Sequence, residues 1–130
     1  MRNTFFFLSL TLIAAFIITS CVKENDAQPM SCDLETANTQ FTEDSIEVTY
    51  TLEVSGDYQV ATFYYYDETG KVIVDNPTGP KSITVALTNQ KLLKAGAEGH
   101  VKNGALKVSF IAQTNTNLYT GSDQCEQTKQ

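Results

Sequence analysis

The chain contains one histidine, His100, and the residues around it have the composition of a nucleophilic triad. Glu98 lies two positions earlier in the same stretch, and Ser109 follows beyond Asn103-Gly104. A hydroxyl activated by an imidazole that a carboxylate orients performs acyl transfer, but it also needs an oxyanion hole and a pocket that excludes water. The surface of a regular strand pair offers neither, so these residues read as cross-strand neighbours on a wetted face and no catalytic residue is assigned. Calcium takes roughly six to eight oxygens converging on one point. The acidic pairs Asp33/Glu35, Glu43/Asp44 and Asp67/Glu68 are too scattered for that and read as surface acid. Structural zinc needs four closing ligands, and no metal or cofactor is expected.

The feature that invites binding is Tyr64-Tyr65-Tyr66. Strand alternation sends Tyr65 to one face and Tyr64 and Tyr66 to the other. With Tyr65 in the core, Tyr64 and Tyr66 are expected to form an exposed aromatic patch beside Val72 and Val74. Such a patch could stack on a glycan or anchor a protein partner. The competing reading is that the two rings only strengthen cross-strand packing or lie under a loop.

The elements that carry these residues are strands. Ile46, Val48, Tyr50, Leu52 and Val54 alternate with Glu47, Thr49, Thr51 and Glu53, which predicts one buried and one wet face. Gly56-Asp57 is expected to turn the chain into a strand from Tyr58 to Tyr66, and Asp67-Glu68-Thr69-Gly70 into another from Lys71 to Val74. A further strand is predicted over Ser82 to Thr88, after Asn76-Pro77-Thr78-Gly79-Pro80, where the prolines forbid regular pairing. Asn103-Gly104 is the preferred type I′ dipeptide. It predicts a hairpin with Lys102 facing Ala105, Val101 facing Leu106, Gly99 facing Val108 and Ala97 facing Phe110. His100 would then face Lys107, and Glu98 would face Ser109. Only Asn89 to Ala95 hints at helix. Six to seven short strands make a single antiparallel, immunoglobulin-like β-sandwich the expected all-β fold.

The N-terminus supplies an address. Arg2 precedes a mostly apolar run from Phe5 to Ile18, and then come Thr19, Ser20 and Cys21, the layout of a removable export signal. A run of about 14 residues rises only about 21 Å as a helix, short of the roughly 30 Å hydrocarbon core. Ile18-Thr19-Ser20-Cys21 resembles the bacterial lipobox, which implies cleavage before Cys21 and lipid on that cysteine. The expected plan is a signal peptide over 1–20, a lipidated cysteine and flexible tether over 21–31, a β-sandwich over 32–126 and a disordered tail over 127–130. The Lys23-Glu24-Asn25-Asp26 stretch is similar to the acidic export signal of surface-exposed Bacteroidota lipoproteins, so an outer-membrane anchor is expected, on either its surface or its periplasmic face. Removing Arg2 leaves eight lysines against fifteen acids, a formal charge of −7. A chain so acidic and without a basic cluster is unsuited to nucleic acid. In an oxidising envelope the two remaining cysteines, Cys32 and Cys125, are expected to form a disulfide that clips the ends of the domain together.

A wider resemblance covers roughly Ile46 to Cys125. Val48-Thr49-Tyr50, Val54-Ser55-Gly56, the run from Phe63 to Lys71, and Gly99-His100-Val101-Lys102-Asn103-Gly104 resemble the extracytoplasmic domain of MmpS-like proteins. Pro80 is followed by Lys81 where that family often has Trp. The resemblance implies a β-sandwich accessory to a membrane transporter, with Tyr65 as the core aromatic beside Phe63, and it carries over no catalytic residue. The expected function is therefore a non-enzymatic envelope lipoprotein that binds a membrane or surface protein assembly. The alternative is a surface glycan-binding module that uses Tyr64 and Tyr66.

Overall fold

The structure, a computed structural model, describes residues 28–128. Cys21, the expected signal peptide and most of the expected tether lie outside the described residues. The elements are β1 (Met30–Glu35), β2 (Thr39–Gln40), β3 (Ser45–Asp67), β4 (Gly70–Asp75), β5 (Lys81–Thr88), β6 (Leu92–Leu93), β7 (Ala95–Gln113) and β8 (Leu118–Gln127). All pairings are antiparallel, in one sheet of six strands and a two-stranded sheet of β2 and β6.

The two longest strands, β3 and β7, run side by side from end to end, from Thr49↔Ile111 to Tyr65↔Ala95. Both bend at the same level. There Asn103 and Gly104 of β7 stand against Gly56 of β3, between the pairs Ser55↔Ala105 and Asp57↔Lys102. Gly56 and Asn103 both have positive φ, 68° and 53°. The backbones approach so closely that a side-chain carbon on Gly56 would collide with the Asn103 carbonyl, and one on Gly104 with the Ser55 carbonyl. An extra residue in one strand sharpens twist and bend, and the sheet folds over on itself there. One layer is β1, the first half of β7, the second half of β3 and β4. The other is β5, the first half of β3, the second half of β7 and β8.

The core lies between these layers. Val48, Tyr50 and Leu52 meet Phe63, Ala97 and Val101 from the opposite layer and Leu106, Val108 and Phe110 from their own, all essentially inaccessible to solvent. Tyr50 packs on Tyr65 across the fold with ring centroids 5.5 Å apart. Burial pushes the pKa of the Tyr50 hydroxyl up to about 12. Cys32 of β1 and Cys125 of β8 form the expected disulfide, with Cα atoms 5.9 Å apart.

The all-β sandwich is as expected, but several local expectations are corrected. The chain does not reverse at Asn103-Gly104 or at Gly56-Asp57, because both dipeptides form the paired bend inside long strands. Val101 pairs with Met30 and Tyr58, and Leu106 with Val54 and Cys125, in place of each other. Asn89 to Ala95 contains no helix. It holds a tight turn, the short strand β6 and the start of β7. Strand structure also begins at Met30 and ends at Gln127, so the sheet takes in a little of what was expected to be tether and tail.

Candidate functional site

The expected site residues concentrate on the outer face of the layer built from β1, β7, β3 and β4. Opposed residues in an antiparallel pair share a face, so the register sorts the side chains. Tyr64 stands opposite Ile73 on one side and Gly96 on the other, and Gly96 opposite Glu35. Tyr66 is opposite Lys71. The next row is Asp75, Thr62, Glu98 and Asp33, and beyond it lie Gln59, His100 and Ser31. An aromatic and aliphatic end thus passes into an acidic middle.

Tyr64 and Tyr66 do share the outer face, their rings edge to face at 6.4 Å, and Tyr65 turns inward against Tyr50 and Phe63. Val72 and Val74 are not beside them. Val72 is opposite Tyr65 and Val74 opposite Phe63, which puts both valines on the core face. The aliphatic neighbour of the tyrosines is Ile73, 54% exposed.

Tyr64 is not a free platform either. Its hydroxyl donates to Glu35 Oε2 at 2.6 Å, Lys71 Nζ sits 3.8 Å from its ring centroid, and the ring lies flush on Gly96, where a side-chain carbon would collide with it. Lys94 Nζ closes the group with an ion pair to Glu35 Oε1 at 2.5 Å. Lys94 and the Tyr64 hydroxyl hold the Glu35 carboxyl below its ordinary pKa. Burial and the Glu35 carboxylate push the Tyr64 hydroxyl well above its own. A ring that spans a glycine and is held from both ends strengthens the sheet; this is the packing role weighed against the binding role.

The Ser109, His100 and Glu98 triad is not assembled. Ser109 lies in the other layer, opposite Thr51 and Ser122, while Glu98 faces Thr62 and Asp33. His100 is exposed beside a wide, shallow hollow that Asp33 and Glu98 also line. The acidic pairs are engaged separately. Asp67 accepts from the backbone N–H of Thr69 and from its hydroxyl. Glu43 accepts from Asn117 Nδ2 at 2.8 Å, the Tyr119 hydroxyl at 2.9 Å and the Thr114 hydroxyl at 3.1 Å. Among the described residues no group of three or more His, Cys, Asp or Glu side chains is placed to hold a metal ion.

Sequence reading missed the cluster around Glu43. Asn117 above all, with Tyr119 and Thr114, lowers the Glu43 pKa to about 2, and the carboxylate ties the segment before β3 to the turn between β7 and β8. All its donors are uncharged, so no charge pattern marks it in the sequence. Among the described residues no helix is long and apolar enough to cross a membrane. No family model, curated protein or solved structure matches the chain.

Proposed function

We propose that the chain is an exported, lipid-anchored envelope protein whose β-sandwich serves as a non-enzymatic binding or accessory module for a membrane or surface protein assembly. The anchor rests on Arg2, the apolar run to Ile18, and Cys21 after Thr19-Ser20. The observation that carries the module reading is where the chain enters the fold. Gln127 Nε2 donates to the Gln28 carbonyl at 2.8 Å, and Met30 pairs with Val101 next to the bend, so the tether leaves from the bent end. The segments 36–44, 68–69, 89–94 and 114–117 belong to the other end, where β1 finishes and β8 begins. With a lipid on Cys21, these segments lie at the end of the fold opposite the point where the tether joins it. They are rich in Asn, Thr and Gln, whose side chains supply hydrogen-bond donors and acceptors to a partner. The resemblance to MmpS-like domains supports an accessory role.

Protease shaving of intact cells, with detergent extraction and intact-mass measurement, tests the anchor: a lipid mass on the Cys21 peptide is expected, and an unlipidated chain released into the medium would end the proposal. A photo-crosslinking residue at Asn115, at the far end, is expected to capture a defined envelope protein, whereas one at Glu126, near the bent end, is not. Capture from Glu126 alone would overturn the orientation.

A further inference from the structure

Among the described residues the six-stranded sheet has four edge strands, and three carry charge along their length. β1 has Asp33 and Glu35, β4 has Lys71 and Asp75, and β8 has Asp123 and Glu126. Charged residues on an edge discourage a further strand from pairing there. β5 has none between Ser82 and Thr88.

Its hydrogen-bond parity shows which backbone groups are open. Asn89 N donates to the Asp44 carbonyl on the β3 side, and Thr88 N donates to the Glu68 carboxylate, away from β3. Alternate residues of a strand bond to opposite sides, so the N–H and C=O groups of Ser82, Thr84 and Ala86 face outward. Both ends of this stretch are blocked. Pro80, the next outward position before Ser82, has no N–H, and the Thr88 N–H beyond Ala86 is held by Glu68.

The open stretch reads almost the same in both directions about Thr84: Ser82, Ile83, Thr84, Val85, Ala86. We infer that β5 is a homodimerisation edge, which pairs antiparallel with β5 of a second copy on a two-fold axis through Thr84. In that register Thr84 meets its own equivalent and Ser82 meets Ala86. Ile83 meets Val85, which covers two half-exposed aliphatic side chains at the open rim of the core. Thr84, already hydrogen-bonded to Thr49 through its hydroxyl at 2.8 Å, extends that hydroxyl row across the axis. The charges that flank the uncharged stretch are complementary. Lys81 of one copy stands opposite Leu87 of the other, next to the Thr88 that carries Glu68, and symmetry repeats the match. A contact of this kind is isologous and closes at two copies.

Sedimentation equilibrium of the full-length chain, in detergent matched to the solvent density, tests this. The wild type is expected to show twice the protein mass of one chain. Thr84→Lys and Thr84→Glu, each exposed on the outer face and so compatible with the fold, are expected to fall to one chain because like charges then meet on the axis. Mixing the two variants is expected to restore the doubled mass. A wild type of single mass, or a dimer that both variants leave intact, would overturn the assignment. So would a mixture that stays monomeric while each variant keeps its native circular dichroism, and the same holds if β5 pairs only with a different protein.

Discussion

Along the β1–β8 side, the two layers are joined by Cys32–Cys125, by the Glu35 N–H donating to Asp123 at 2.9 Å, and by Gln127 donating to Gln28. Along the β4–β5 side no disulfide or ion pair joins the edge strands among the described residues; at the tip the Glu68 carboxylate accepts from the Thr88 N–H and the Glu68 carbonyl from the Lys91 ammonium. One side spends its edges on closing the domain, and the other leaves a backbone edge and half-buried Ile83 and Val85 at the rim. A small sandwich has limited apolar area to hold its layers together, so a covalent clip on one side permits a less defended edge on the other.

The largest expected effect comes from cutting the clip. The disulfide closes a sequence separation of 93, which in the chain-entropy model corresponds to roughly 4–5 kcal/mol. A Cys32→Ala, Cys125→Ala double variant, or the reduced wild type, should lose stability on that scale in urea unfolding. A loss below about 1 kcal/mol would mean that the layers are held by packing alone. Next in size is Gly96→Ala, on the closed side. The added carbon would meet both the Tyr64 ring and the Leu34 carbonyl, so Tyr64 must leave its place between Glu35 and Lys71. Overpacking of this kind costs about 1–3 kcal/mol. If the Gly96→Ala, Tyr64→Ala double variant loses no less than the sum of the two single variants, the ring is not what the new carbon displaces.

How much of this the sequence discloses depends on what each signal can distinguish. The wet and dry faces of Ile46 to Val54 and the pairing of Cys32 with Cys125 were legible, since alternation and compartment each point to one answer, whereas alternation only separated Tyr65 from Tyr64 and Tyr66 without saying which face was the core. The bends were not. In β7 the buried apolar side chains are odd-numbered up to Val101 and even-numbered from Leu106. One inserted residue in a strand and a two-residue turn invert the alternation alike, so Asn103-Gly104 fits either, and only the partner strand decides between them. Gly56 opposite that dipeptide is what makes the bend fit. The placement of Val72 and Val74 was recoverable. The two-residue turn Glu68-Thr69 pairs Asp67 with Gly70, and counting outward from there puts Tyr65 against Val72 and Tyr64 against Ile73. The partners of Glu43 were beyond reach, because Asn117 is 74 positions away and no periodicity connects them.

Two smaller effects sharpen the contrast between the sides. On the closed side, Asn117, Tyr119 and Thr114 lower the Glu43 pKa from 4.5 to about 2. A carboxyl whose pKa is depressed by folding contributes stability above its unfolded value, and that contribution is lost as pH falls through the folded value. The stability of the wild type should therefore decline between about pH 4.5 and 2 more steeply than that of Glu43→Gln. Parallel curves for the two proteins would show that the cluster contributes nothing. On the open side, Asn89 and Gln90 form a tight turn after β5 with φ of 55° and 56°. Asn tolerates that conformation, but Gln does so at a steric cost. Gln90→Gly relieves the strain and adds backbone entropy to the unfolded chain, so the net gain is at most about 1 kcal/mol. Asn89→Gly should change stability less, and Gln90→Val should reduce it, since a β-branched residue fits positive φ worst. Thermal unfolding of the three variants orders them, and a Gln90→Val protein as stable as the wild type would show that the turn after β5 is free to adopt another conformation.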